Sequence, residues 1–143
     1  MRKVLVFLSS RLISVDKLLN IFDWATEIRN QDVTIISGFH SKVEKDVLHF
    51  LSKGKQPMKM VLARSMYRQL PEELKPLVQS GQLEILTLPG LRARLSSQET
   101  AMRRNRYMID MADEVVIGYA SPGGNLEKLL NEYEGTGKKI VCL

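Results

Sequence analysis

Three short stretches of this chain combine residue types that can hold an anion. Ile36-Ser37-Gly38-Phe39-His40-Ser41 and Ser121-Pro122-Gly123-Gly124-Asn125 each lead from an apolar run into a helical pattern, and Arg104-Asn105-Arg106 lies inside a third helical pattern. Gly38 lets the chain turn tightly and bring backbone amides toward the start of a helix, a geometry suited to a phosphate. The alternative is an ordinary strand-to-helix turn with Ser41 as N-cap. Gly123 and Gly124 free the backbone for close approach by a ligand, and Asn125 can cap the helix that follows. After the first apolar run, Ser10 and Arg11 place a hydroxyl and a guanidinium at an equivalent junction. An arginine there either forks onto a phosphate or stays in solvent.

The arginine-rich stretch raises a packing question. At 100° per residue, Ala101, Asn105, Met108, Ile109 and Ala112 share one side of a helix and face a sheet. This puts the amide of Asn105 on the buried stripe, with Arg104 and Arg106 flanking it and Arg103 in solvent. A buried amide needs hydrogen-bond partners. The expectation is that Asn105 pins the helix to the glycine turns while Arg104 or Arg106 reaches into the crevice; the plain alternative is a basic helix lying on the surface.

Catalytic groups are scarce. The chain has no Gly-x-Ser-x-Gly elbow, P-loop or His-Glu-x-x-His motif. Glu127, just past the second glycine turn, is the one weak candidate for acid-base work, and Glu44 is explained by helix capping. His40 has no carboxylate or second histidine at metal-binding spacing, so no metal is expected, and no motif calls for a cofactor. Trp24, with Ile21 and Ile28 at helical spacing, reads as core. Phe39, Tyr67 and Tyr119 fall in loops where stacking on a base is available.

The elements that must position these residues alternate regularly. Val4-Phe7, Val33-Ile36, Met60-Ala63, Leu83-Thr87, Val115-Gly118 and Ile140-Cys142 are short apolar runs, as expected of strands covered on both faces. Helical patterns intervene at Val15-Arg29, Val43-Ser52, Pro71-Ser80, Ser97-Met111 and Leu126-Glu134. Ser41 with Glu44, and Ser96 with Glu99, have capping-box spacing. The alternation predicts an α/β fold: one doubly wound, Rossmann-like domain over residues 1–143, with a mainly parallel sheet of about six strands. In such a sheet ligands bind beyond the carboxyl ends of the strands, where the loops just described lie.

Size and charge set the outer limits. A chain of 143 residues suits one domain that buries roughly 70% of the surface of its unfolded form. The basic N-terminal start is followed by too short an apolar run for a signal peptide, and no segment approaches the roughly 18 apolar residues of a membrane span. A cytoplasmic protein without membrane attachment is expected. The single cysteine, Cys142, excludes an internal disulfide and reads as a core thiol. The net charge is +5, and seven arginines lie between positions 64 and 106 against four acidic residues in that span. That segment is the candidate basic face, and it permits an anionic partner.

Taken in order, these motifs resemble the DNA-processing protein A family (DprA, also called Smf). Ser9-Ser10-Arg11 resembles its Gly-Ser-Arg turn, Ile36-Ser37-Gly38 the start of its Ser-Gly-Gly segment, Arg104-Asn105-Arg106 its Arg-Asn-Arg motif, and Gly123-Gly124-Asn125-Leu126 its Ser-Gly-Ser-Leu turn. The resemblance implies nucleotide-phosphate binding, with single-stranded DNA as partner, in a DNA-processing role, and a possible homodimer. Its implied contacts are Ser10, Arg11, Ser37, Gly38, Arg104, Asn105, Arg106, Gly123, Gly124 and Asn125. The LOG-type phosphoribohydrolases, whose fold is related, offer the rival reading: Arg104 to Met108 and Pro122-Gly123-Gly124 with Glu127 resemble their motifs, which implies nucleoside 5′-monophosphate hydrolysis. A third possibility is a small-nucleotide sensor that uses the same crevice without turnover.

Overall fold

The computed structural model describes residues 2–11 and 13–143. Six strands, β1 (Lys3–Leu8), β2 (Val33–Ser37), β3 (Met58–Leu62), β4 (Leu83–Thr87), β5 (Glu114–Ile117) and β6 (Lys139–Cys142), alternate with five helices. These are α1 (Val15–Ile28), α2 (Lys42–Leu51), α3 (Lys75–Gln79), α4 (Gln98–Met111) and α5 (Asn125–Asn131). The sheet order is β4-β3-β2-β1-β5-β6, and every pairing is parallel. The Rossmann-like α/β fold expected from the alternation is present, its sheet wholly rather than mainly parallel.

Strand side chains alternate between two apolar layers. Leu5, Phe7, Ile35, Met58 and Met60 pack beneath α1 and α2, whereas Val6, Leu8, Ile36 and Val61 pack beneath α4 and α5. Every residue of β2 is buried, because it lies inside the sheet with helices over both faces. Trp24 of α1 stacks on Phe7 with ring centroids 5.2 Å apart, so it is a core residue. Cys142, by contrast, is exposed: β6 is an edge strand, and both of its end residues, Lys139 and Cys142, are exposed.

Several boundaries depart from the sequence pattern. The expected helix at 71–80 divides into a 3-10 turn at Glu72–Leu74 and the short α3, which has Pro76 in its first turn. The capping box of α4 uses Ser97 and Thr100 instead of Ser96 and Glu99: Ser97 Oγ accepts the Thr100 amide at 3.1 Å, and Thr100 Oγ1 accepts the Ser97 amide at 2.8 Å. A threonine hydroxyl there does the work of the carboxylate, and the helix begins one residue later.

The topology fixes where the loops meet. The chain leaves β1 toward β2 on one side, then returns past β1 to β5 on the other, so the loops after β1 and β5 diverge at a switch point. The β2–α2 and β3 loops stand on one side of it.

Candidate functional site

The β2–α2 turn is held by its own side chains. Ser37 is fully buried, and its Oγ accepts the Phe39 amide at 3.2 Å. Phe39 takes a left-handed φ of 44° while its ring is 2% exposed, so the ring belongs to the core and offers no stacking surface. Glu44, also buried, accepts the amides of His40 (2.9 Å) and Ser41 (3.3 Å) on one carboxylate oxygen, and Ser41 Oγ accepts the Glu44 amide at 3.2 Å. This is the expected capping box. Its consequence is that two amides a phosphate would need are already engaged by a carboxylate.

Helix α4 lies one step round from the orientation its pattern suggests. The buried residues are Thr100, Arg104, Met108 and Ile109, and Asn105 is only half-buried. Arg104, 7% exposed, takes the place assigned to Asn105. Its Nε donates to Asn105 Oδ1 at 3.2 Å, and it makes no ion pair with any described carboxylate. The guanidinium lies against the backbone of Gly38: a Cβ there would sit 2.6 Å from Nη1. Burial lowers the arginine's pKa, and the charge of nearby Glu44 opposes that effect. The group remains a cation, because arginine starts far above neutrality. A largely desolvated cation without a paired counterion favours an incoming anion strongly.

Arg106, two residues on, is elsewhere. Its Nε and Nη2 donate to the two carboxylate oxygens of Glu132 at 2.9 Å each, in an exposed bidentate pair next to α5. Tyr133 closes the same seam by donating to Asp110 at 2.9 Å, and burial, then that hydrogen bond, pushes its pKa up to about 12.

The loops at the switch point are stitched together. Ser10 Oγ accepts the Ser121 amide at 2.9 Å, and the Ser10 amide donates to the Tyr119 carbonyl at 2.7 Å. Arg11 is exposed. Gly123 has φ 74°, and its amide donates to Glu127 Oε1 at 3.0 Å. Gly124 is the N-cap of α5, and no side chain caps that helix, so Asn125 is its exposed first residue and not its cap. Glu127 thus holds a turn in the way Glu44 does.

Two cavities open beside these turns. One, of about 690 Å³, is walled by Leu48, Met60, Leu62 and Leu77, with Gly38, His40, Tyr67 and Arg104 among its other lining residues. The second, about 780 Å³, is an open cleft lined by Arg64, Arg68, Arg92 and Arg94, with no acidic residue in its lining among the described residues. The Ser65 amide donates to the Ala93 carbonyl at 2.6 Å, which ties the loop after β3 to the loop before α4 and gathers arginines far apart in sequence. Arg64 stacks over Tyr67, 5.0 Å from its centroid. Of the predicted contacts, Gly38 and Arg104 meet at the first cavity; Ser10, Arg11, Gly123, Gly124 and Asn125 line neither cavity. His49 and Leu77 also line the first cavity, and no sequence motif marked either of them as a contact. Among the described residues no cluster of three or more histidine, cysteine or acidic side chains could hold a metal ion, and no helix is long and apolar enough to cross a membrane.

The class defined by this geometry is a Rossmann-like α/β domain with a basic, cavity-bearing carboxyl edge. Within it, solved structures of DNA processing protein A share the fold. The protein from Helicobacter pylori, which binds single-stranded DNA, superposes with a TM-score of 0.75 at 15% identity, covering 98% of this chain and 64% of its own. The Streptococcus pneumoniae protein gives 0.61 at 16% identity, covering 98% and 58%. This chain therefore spans less than two thirds of either. A molybdenum cofactor binding protein from Rippkaea orientalis has the same fold, with a TM-score of 0.69 at 11% identity over 99% of this chain and 76% of that one. No family model matches the sequence, and no curated protein matches it.

Proposed function

We propose that the protein binds single-stranded DNA through its phosphates along the carboxyl edge of the sheet, in a DNA-processing role. The observation that carries this reading is the arginine cleft. Arg64, Arg68, Arg92 and Arg94 come from two loops into one open groove without an acidic neighbour in its lining. A flexible polyanion, with charge repeated along its length, suits such a groove better than a single small anion does. Tyr67, flanked by Arg64, supplies an aromatic face of the kind on which a base stacks. The fold shared with the DNA-binding Helicobacter pylori protein supports the reading, which we extend to a homodimer acting in the cytoplasm.

The test is fluorescence anisotropy with a labelled oligothymidine at a series of salt concentrations. Neutralising four phosphates predicts a log–log slope near about −3. The double variant Arg92→Ala/Arg94→Ala should weaken binding and flatten the slope by about 1.4 while the melting temperature holds. Salt-insensitive binding, or affinity unchanged in that variant, would remove the cleft from the account.

A further inference from the structure

The cavity of about 690 Å³ is not explained by a DNA track, because a strand lying in the open cleft would pass its mouth without filling it. It shares only Arg64 and Tyr67 with the cleft and extends over α2 and α3 onto an apolar floor. Met60, Leu62 and Leu74 are each at most 5% exposed, and Leu48 8%. At its inner edge stands Arg104, 7% exposed, its guanidinium packed on Gly38 and in no ion pair with a described carboxylate, although the charge of Glu44 is close enough to act on it. His40 and Lys45 line the same cavity, and Glu73, exposed on the 3-10 turn, is the only acidic residue of its lining among the described residues.

A void of this size is within the range of about 300–1,000 Å³ usual for small-molecule sites. Its chemistry is divided: one buried cation at the sheet edge, then an apolar chamber with a tyrosine ring beside it. The ligand that satisfies both parts has one anionic group and a flat, largely apolar body. Inorganic phosphate would leave the chamber unfilled, an uncharged aromatic would leave Arg104 without a partner, and a long polyanion would not fit.

We infer that this cavity is a nucleotide-sized site, separate from the arginine cleft, in which Arg104 holds a phosphate monoester and the chamber between α2 and α3 takes the attached aromatic base. Two sources share that chemistry: a free 5′-mononucleotide, or the 5′-phosphorylated end of a strand lying in the cleft, reached past Arg64 and Tyr67. The inference stands on Arg104 and the chamber, so it survives or fails independently of DNA binding in the cleft.

The experiment is calorimetric titration of the full chain with adenosine and thymidine 5′-monophosphates, beside the corresponding nucleosides and inorganic phosphate. A mononucleotide should bind, and nucleoside and phosphate should each bind about 10- to 100-fold more weakly, as loss of a charge-assisted contact or of the buried body requires. Arg104→Met keeps the length of the side chain and removes its charge; Leu77→Trp fills the chamber. Each should reduce mononucleotide affinity by a similar factor, while Arg92→Ala/Arg94→Ala should leave it within about twofold. Should Arg104→Met fail to fold by circular dichroism, Leu77→Trp decides alone. A 5′-phosphorylated oligothymidine that outcompetes its unphosphorylated twin in wild type but not in Leu77→Trp assigns the site to strand ends; equal competition assigns it to free nucleotides. The inference is overturned if no mononucleotide binds at millimolar concentration, if Leu77→Trp binds as wild type does, or if affinity falls only in the Arg92→Ala/Arg94→Ala variant.

Discussion

The two glycine turns at the carboxyl edge of the sheet look alike in sequence and solve opposite problems. After β2, Gly38 has an ordinary φ, and its missing side chain leaves room for the guanidinium of Arg104. After β5, Gly123 has open space where a Cβ would go but needs its positive φ of 74°. Each turn is braced by a glutamate four residues or fewer downstream, Glu44 in one and Glu127 in the other. Helix α4 stands between them and sends one arginine to each side, Arg104 toward the β2 turn and Arg106 onto Glu132 of the α5 segment. A glycine kept for space marks where another group approaches; a glycine kept for φ marks only where the chain bends. By this criterion another group approaches the first turn, whereas at Gly123 the second only bends the chain.

Removing the braces should separate the turns most clearly. Glu44→Ala strips the acceptor from two amides inside a buried capping box and should cost about 2 kcal/mol in chemical denaturation. Glu127→Ala releases a single amide at a partly exposed turn and should cost about 0.5 kcal/mol. Equal losses would mean that the two braces are equivalent and the comparison is empty.

The glycines should behave in the reverse order. Gly123→Ala forces an L residue into the left-handed region and should cost about 1–2 kcal/mol. Gly38→Ala meets only the tip of a flexible side chain, which can swing aside, so its stability cost should stay under about 1 kcal/mol. Its effect should appear instead in ligand affinity, because the displaced guanidinium leaves the cavity edge. If Gly38→Ala binds mononucleotide as wild type does, close approach is not the reason for glycine at that position.

The arginines sharpen the same contrast at smaller amplitude. Arg104→Met relieves a buried charge that has no paired partner and should leave stability unchanged or raise it by about 1 kcal/mol. Arg106→Met gives up a solvent-exposed pair, and its melting temperature should scarcely move. A large loss from Arg104→Met would show that the arginine is there to hold the fold together.

The smallest effect is in pH. His40, at the exposed rim of the β2 turn, has its pKa lowered below the usual 6.5, first by partial burial and next by the charge of Arg104. The unfolded chain therefore takes up that proton before the folded one does, and stability should fall as pH drops through the window just below 6.5. His40→Gln should flatten this part of the profile. The β5 turn carries no histidine, so variants there should leave the profile as it is.

Much of this architecture is written in local patterns. Apolar runs such as Val33-Thr-Ile-Ile36, the helix announced by Ser41, and the glycines that follow β2 and β5 are consequences of short-range sterics and hydrogen bonding, which every few residues decide for themselves. The element order and the location of the basic residues were legible for that reason. The errors lie where neighbours in space had the last word. Asn105 and Arg104 are 100° apart on one helix, and periodicity alone could not say which of them the β2 turn would admit; it admits the arginine because Gly38 leaves it room. Cys142 reads as a core residue until the sheet order puts its strand at an edge.

By itself, then, the sequence determined the alternation of strands and helices, the glycine turns and the excess of positive charge between residues 64 and 106, since each follows from residues close together in the chain. Only the tertiary structure decided that Arg64, Arg68, Arg92 and Arg94 share a cleft, that Arg104 is buried without an ion pair beside a cavity while Arg106 is paired in solvent, and that both glycine turns already hold a glutamate. Those facts depend on how elements distant in sequence pack against one another. Burial, which strips water from one arginine and leaves it on the other, is a property of that packing and is not encoded at any single position.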